Sequence, residues 1–284
     1  VTEVVCRWWM VPADSGRLTT VLERVFAIGT AARVAIREPE VWGPAERWPV
    51  SEYHDGRLLT PDEAVSLVGV MLAGAEFWCR LVTDHVEVYV TEDAVYLGSY
   101  GSLDDLGLVD AEPVGSSPYA IDRAGFPYYP PADDEFWAGL HRHLAAGAGE
   151  LLVLQQWAAG FGGERWYLVA SAADLEAVRQ DVLPRAVFAV FRRPRLVRRA
   201  PGSRQSAEAV LGDEMLLGGV RIFHRSSASV LLTAARVADD DELRRAWELL
   251  GERDALFSWD DDADPVYAAR PDPDGQVRVA GAFQ

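Results

Sequence analysis

Two stretches of the chain concentrate groups that could do chemistry, and they carry opposite charge. Asp260, Asp261, Asp262 and Asp264 form the densest acidic run, with carboxylates at alternate positions as at the start of a calcium loop. Such a loop needs glycine at its sixth position and glutamate at its twelfth; this sequence has Pro265 and Pro271 there. An EF-hand is excluded, which leaves a looser cation site, a solvated acidic loop or a docking face for a basic partner. Conversely, Arg185, Arg192, Arg193, Arg195, Arg198, Arg199 and Arg204 follow one another with no acid between Asp181 and Glu208. Guanidinium forks match phosphate oxygens, so Arg192, Arg193, Arg195, Arg198 and Arg199 are candidate anion ligands. As an alternative, the same run serves as an internal counterweight to the acidic remainder. A nucleic-acid site calls for interleaved aromatics, and only Phe188 and Phe191 are near.

Other chemistry-bearing residues are dispersed. Gly160, Gly162 and Gly163 suggest a phosphate loop, but a dinucleotide fingerprint follows a strand and opens a helix. Here the glycines join two strand-like runs, so a hairpin turn is expected. His141 and His143 stand two apart on a helix and point to different faces, unlike an i, i+4 chelating pair. His54, His85 and His224 are isolated from one another in sequence. No G-x-S-x-G elbow occurs, and Cys6 and Cys79 sit in apolar strand-like runs where a thiol behaves as a small hydrophobe. All 27 basic residues are arginine, which closes Schiff-base, P-loop and kinase-lysine chemistry. Lysine and asparagine are both absent, and both use AA-starting codons, which points to a high-GC bacterial genome. The sequence assigns no catalytic residue, no metal ligand and no cofactor.

Among the ten tryptophans, Trp42 and Trp48 fall in a segment broken by Pro39, Pro44 and Pro49. They are expected to be part-exposed, where aromatic rings anchor protein partners.

The elements that must position these groups follow from periodicity. Val4–Val11 reads as a strand and leads into a helix with apolar Leu18, Val21, Leu22, Val25 and Phe26. Residues 38–56 read as irregular. Thr60, Pro61, Asp62 and Glu63 open the clearest helix. After Gly74 the period changes to two, giving a meander over 77–81, 86–90 and 95–99. Five prolines in 112–132 exclude a helix interior or central strand. Asp133, Asp134 and Glu135 open a further helix. Strands at 151–157, 165–170 and 186–192 around a helix at 172–183 form a β-β-α-β unit, and 219–224, 229–236, 240–250 and 254–259 repeat that order. A hairpin follows at Val266–Arg270, Pro271–Gly275 and Gln276–Phe283.

The expected fold class is therefore α+β, with mixed or antiparallel sheets, helices packed on one face and two subdomains. An N-terminal α+β domain with a β-meander spans 1–112 and a Pro-rich linker 113–132. The C-terminal domain, 133–284, is built from the two β-β-α-β units and the hairpin. The 284-residue length and 49% hydrophobic content suit such cores. The formal charge of −17 repels phosphate backbones and anionic lipid, so nucleic acid and membrane are not the expected partners. No leader-like pattern opens the sequence and no apolar run approaches about 18 residues, so the expected location is the cytoplasm. The expected function is a non-catalytic acidic protein-binding module, of immunity-protein or chaperone type, that docks a basic protein. Its anchors would be Trp42, Trp48, Asp260, Asp261, Asp262 and Asp264. A carboxylate-dependent hydrolase or small-molecule transferase is the alternative.

Overall fold

The structure is a computed structural model that describes residues 7–28, 33–43, 47–99, 111–115, 129–192, 194, 196–199, 220–225, 230–237, 239–250, 255–259 and 265–278. They form two antiparallel sheets with helices, an α+β fold, in two compact units. The first unit contains the described residues up to 115 together with Trp157–Gly163; the second contains Tyr129–Gln156 and Glu164–Arg278. None of the helices among the described residues is long and apolar enough to cross a membrane.

In the first unit, β1 (Arg7–Pro12), α1 (Leu18–Phe26), β2 (Val34–Val41), α2 (Val50–Tyr53), β3 (Leu58–Leu59), α3 (Pro61–Leu72), β4 (Phe77–Val82), β5 (Val86–Val90), β6 (Ala94–Ser99) and β7 (Glu112–Val114) follow in order. The sheet runs β3-β2-β4-β5-β6-β1-β7. The alternation read in β4 to β6 is realised: Phe77, Leu81, Val86, Val88, Val95 and Leu97 are all at 0% exposure on one face. Helices α1 and α3 pack on each other, and α3 packs on β4 and β5; Val25, Phe26, Ala64, Val68 and Met71 complete this core. Each such side chain removed from water contributes about 1.5–3 kcal/mol. The α3 start is a complete capping box, in which Glu63 N–H donates to Thr60 Oγ1 and Thr60 N–H donates to Glu63 Oε2.

The second unit contains α4 (Asp134–Ala145), β8 (Leu151–Gln156), β9 (Glu164–Val169), α5 (Ala172–Asp181), β10 (Val187–Phe191), β11 (Leu196–Arg199), β12 (Val220–Arg225), β13 (Leu231–Val237), α6 (Asp240–Leu250), β14 (Ala255–Trp259) and β15 (Val266–Ala269). Asp133, Ser171 and Asp239 accept from the backbone N–H three residues on and start the three helices. The sheet order is β11-β14-β12-β13-β9-β8-β10-β15. Its central six strands read third-first-second, then second-first-third, for the two β-β-α-β units. The two units meet at the antiparallel neighbours β13 and β9. The order β3-β2-β4 in the first unit has the same second-first-third form, with α3 between β3 and β4.

The sequence pattern does not assign the strands β2, β7 and β11. Residues 34–41 form β2, although Pro39 and flanking glutamates hide its alternation; a bulge between Arg37 and Glu40 explains the broken pattern. β7 contains Pro113 and lies at the sheet edge, where a missing N–H is tolerated. β11 lies within the arginine run and pairs with β14. In the final hairpin, β15 is present and Pro271 bridges Val277; residues 279–283 lie outside the described residues.

The glycine-rich stretch is a connection between β8 and β9, as expected, with a 3-10 turn at Phe161–Gly163. Its glycines serve close backbone approach to β2. Val41 N–H donates to Ala159 O at 2.7 Å and Ala159 N–H to Pro39 O at 2.9 Å. A Cβ on Gly162 would stand 2.2 Å from the Gly43 carbonyl oxygen and 2.5 Å from Val41 Cγ1. Backbone cannot yield as a flexible side chain does, so Gly162→Ala is expected to cost about 1–3 kcal/mol through overpacking. Urea unfolding of the variant checks this: an unchanged midpoint would contradict the packing.

Candidate functional site

The bulge in β2 is held by charge. Arg37 and Arg80 face each other in register across β2 and β4, a like-charge pair that costs stability unless carboxylates intervene. They do. Arg37 Nη1 lies 3.3 Å from Asp55 Oδ2, and the N–H of Glu38 donates to Asp55 Oδ1 at 2.8 Å. Asp55 is only 1% exposed. Glu38 has φ of 50°, in the left-handed region, which bends the strand, and its carboxylate meets Arg80 at 3.1 Å. Arg80 also donates to Glu87 at 2.6 Å. Glu87 is a diagonal neighbour on β5, since Val82 opposes Glu87 in register. The result is an ionic network rooted in the sheet, with Asp55 supplied by the loop before β3.

Beyond the bulge, β2 delivers an acidic rim. Trp42 N–H donates to Glu76 O at 2.8 Å, and its indole N–H donates to Glu40 Oε2 at 3.3 Å. The indole lies against Gly160, where a Cβ would be 3.1 Å from Trp42 Cδ2. Trp42 is 42% exposed. Glu76 lies against Gly43 and pairs with Arg47 at 3.2 Å, both partners being exposed. Antiparallel pairing brings the β5–β6 turn to the same end of the sheet. There Ala13 N–H donates to Asp93 O at 2.9 Å, which places Asp14 beside Glu92 and Asp93. These three carboxylates are exposed and make no ion pair among the described residues.

Trp48 corrects the sequence expectation. It is 8% exposed, stacked on Phe77 with centroids 4.9 Å apart and edge-on to Tyr53 at 5.1 Å. Phe77 and Tyr53 make it part of a buried aromatic cluster instead of an exposed loop. Asp260, Asp261, Asp262, Asp264, Arg193 and Arg195 lie outside the described residues. Arg192 is exposed just after β10, and Arg198 and Arg199 occupy β11. His85 is exposed on the β4–β5 turn, and His224 lies in β12. Burial and the Asp55 charge push the Cys79 thiol up, which keeps it protonated and inert. No group of three or more His, Cys, Asp or Glu suited to a metal occurs among the described residues.

Sequence reading missed a polar assembly under α5. Tyr167 is fully buried, with its hydroxyl 2.9 Å from Gln155 Oε1 and 3.0 Å from Asp181 Oδ2. Arg165 pairs with Asp181 and lies over the Tyr167 ring at 5.4 Å. Burial raises the Tyr167 pKa and keeps its proton on the oxygen. Only the glutamines at the end of an apolar strand hinted at it.

Two consequences can be measured. Asp55→Ala leaves Arg37 and the Glu38 N–H without their shared acceptor and is expected to destabilise by about 3 kcal/mol; a loss below about 1 kcal/mol would refute the clamp. His54 has a buried Nδ1 without a partner. Burial lowers its pKa, opposed by Asp55 and aided by Arg57. The neutral imidazole therefore supports the fold fully above the ordinary histidine value of about 6.5, and this support is lost as pH falls below it. Between about pH 7.5 and 5, the wild type should lose more stability than His54→Gln. Parallel losses would exclude His54 as the titrating group.

Comparison with protein-family models, characterised proteins and solved structures finds no match for this chain.

Proposed function

We propose that this chain is a cytoplasmic, non-catalytic docking module for a basic protein partner. The observation that carries the reading is the rim at one end of the first sheet, where Asp14, Glu92 and Asp93 are exposed without counter-ions among the described residues, at the same sheet end as Glu40, Glu76 and Trp42. Complementary charge accelerates encounter and selects against wrong partners, and the formal charge of −17 adds a long-range bias of the same sign. The alternative is a carboxylate-dependent hydrolase or small-molecule transferase. A hydrolase of that kind needs a carboxyl held protonated near neutral pH. Among the described residues, the carboxyls that are displaced move the other way: Glu63 is lowered by its capping-box hydrogen bonds, and Asp274 is pushed down to about 2 by its hydrogen bonds from Arg278. Asp272, despite burial that raises it, is held low by Arg185 and Arg278.

Affinity capture from the native host at low and moderate salt tests the reading. A stoichiometric basic partner should be retained at low salt and lost as salt rises. The combined variant Asp14→Arg, Glu92→Arg and Asp93→Arg should abolish its capture while leaving the unfolding midpoint near that of the wild type. Capture indifferent to both salt and charge reversal, or turnover in an activity screen with no partner retained, would defeat it.

A further inference from the structure

Within the rim, we infer that Trp42 and Glu40 form a receptor for a single guanidinium group, so that the partner is anchored by an arginine in preference to a lysine. The inference rests on the docking reading and names the contact that it leaves open. An indole at 42% exposure is held in place from several directions. Its backbone N–H is tied to Glu76 O at 2.8 Å, its inner side rests on Gly160, and its ring N–H is tied to the Glu40 carboxylate at 3.3 Å. The ring is therefore preorganised, and little rotamer freedom is lost when something stacks on it. A cation over an indole face is attracted by the ring quadrupole, and guanidinium stacks flat where ammonium cannot.

Charge then selects the ligand. Glu40 lies at the nitrogen edge of the ring, and Glu76 lies across Gly43 from it. A planar group stacked on the indole can direct its N–H fork to a carboxylate at that edge, and a fork offers two parallel bonds where an ammonium offers a point charge. The rim already holds one such cation from the chain itself. Arg47 reaches Glu76 at 3.2 Å although Arg47 is 70% and Glu76 46% exposed. So exposed an ion pair contributes little and exchanges readily, and an incoming arginine can compete for the same carboxylate.

The test uses the full chain with two synthetic unstructured peptides of equal length and charge, one carrying arginines and the other lysines in a glycine-serine background. Proton–nitrogen spectra follow the Trp42 indole N–H, assigned by its disappearance in Trp42→Phe. Titration with the arginine peptide should shift that resonance, and the lysine peptide should bind roughly fivefold more weakly. Trp42→Ala should weaken the arginine peptide about tenfold and Glu40→Gln several-fold, with the difference between peptides reduced in both. If the Trp42→Ala midpoint falls, Trp42→Phe keeps an aromatic face and should retain most of the preference for arginine. Equal binding of the two peptides, or no movement of the Trp42 resonance, overturns the guanidinium receptor. The docking reading is judged separately by partner capture with the Asp14, Glu92 and Asp93 variant, in which Trp42 and Glu40 are intact.

Discussion

The Asp55 carboxylate sets the course of β2, and the rest of the first unit depends on that strand. Two guanidiniums, Arg37 and Arg80, are brought opposite each other by the register of β2 and β4. One carboxylate oxygen of Asp55 faces Arg37, the other receives the N–H of Glu38, and Glu38 in turn faces Arg80. The extra residue of the bulge changes the parity of everything after it. Val41 opposes Phe77 and reaches 0% exposure, while Trp42 emerges at the surface. A regular strand would reverse the two, because a shift by one residue moves every side chain to the other face. Core packing and the exposed indole are thus consequences of the same ionic clamp.

The composition takes on structural meaning in the same terms. With arginine as its only strong base, the chain uses forked cations where they are partly desolvated. Arg37 and Arg80 hold the β2 bulge, Arg165 and Arg221 lie over aromatic rings beside acids, and Arg185 ties Asp272 near the β15 turn. Guanidinium is suited to these places because it is weakly hydrated and can satisfy two acceptors together.

Much of the architecture was legible because it is written in local chemistry. Thr60 with Glu63, Asp133, Ser171 and Asp239 begin helices through contacts three residues long, and β4 to β6 announce themselves by alternation. β2 was hidden because its bulge places Glu38, Pro39 and Glu40 where alternation predicts apolar residues, and the compensation comes from Asp55 and Arg80, distant in sequence. Trp48 was misplaced for a similar reason: its partners Phe77 and Tyr53 cover it, and no local pattern encodes that. The glycines at 160–163 could be recognised as a turn, but their need for space against Val41 and Gly43 is a tertiary fact. The acidic excess was visible in composition, whereas the meeting of Asp14 with the Glu92–Asp93 turn required the register.

Net charge by itself cannot choose a partner. At physiological ionic strength the screening length is about 8 Å, so carboxylates scattered over a chain of this size act mostly on what is close to them. The formal −17 can raise the rate of encounter with any basic protein, but discrimination among such proteins must come from groups within contact distance. At the rim those groups differ in kind. Asp14, Glu92 and Asp93 present unpaired charge, which is tolerant of geometry, while Trp42 presents a ring held by its backbone, by Gly160 and by Glu40. A flat, oriented surface imposes shape on what it accepts, and point charges do not. Under the proposed docking reading, one such surface inside an acidic field would separate attraction from recognition: the field is general and sensitive to salt, and the indole would be specific and far less so.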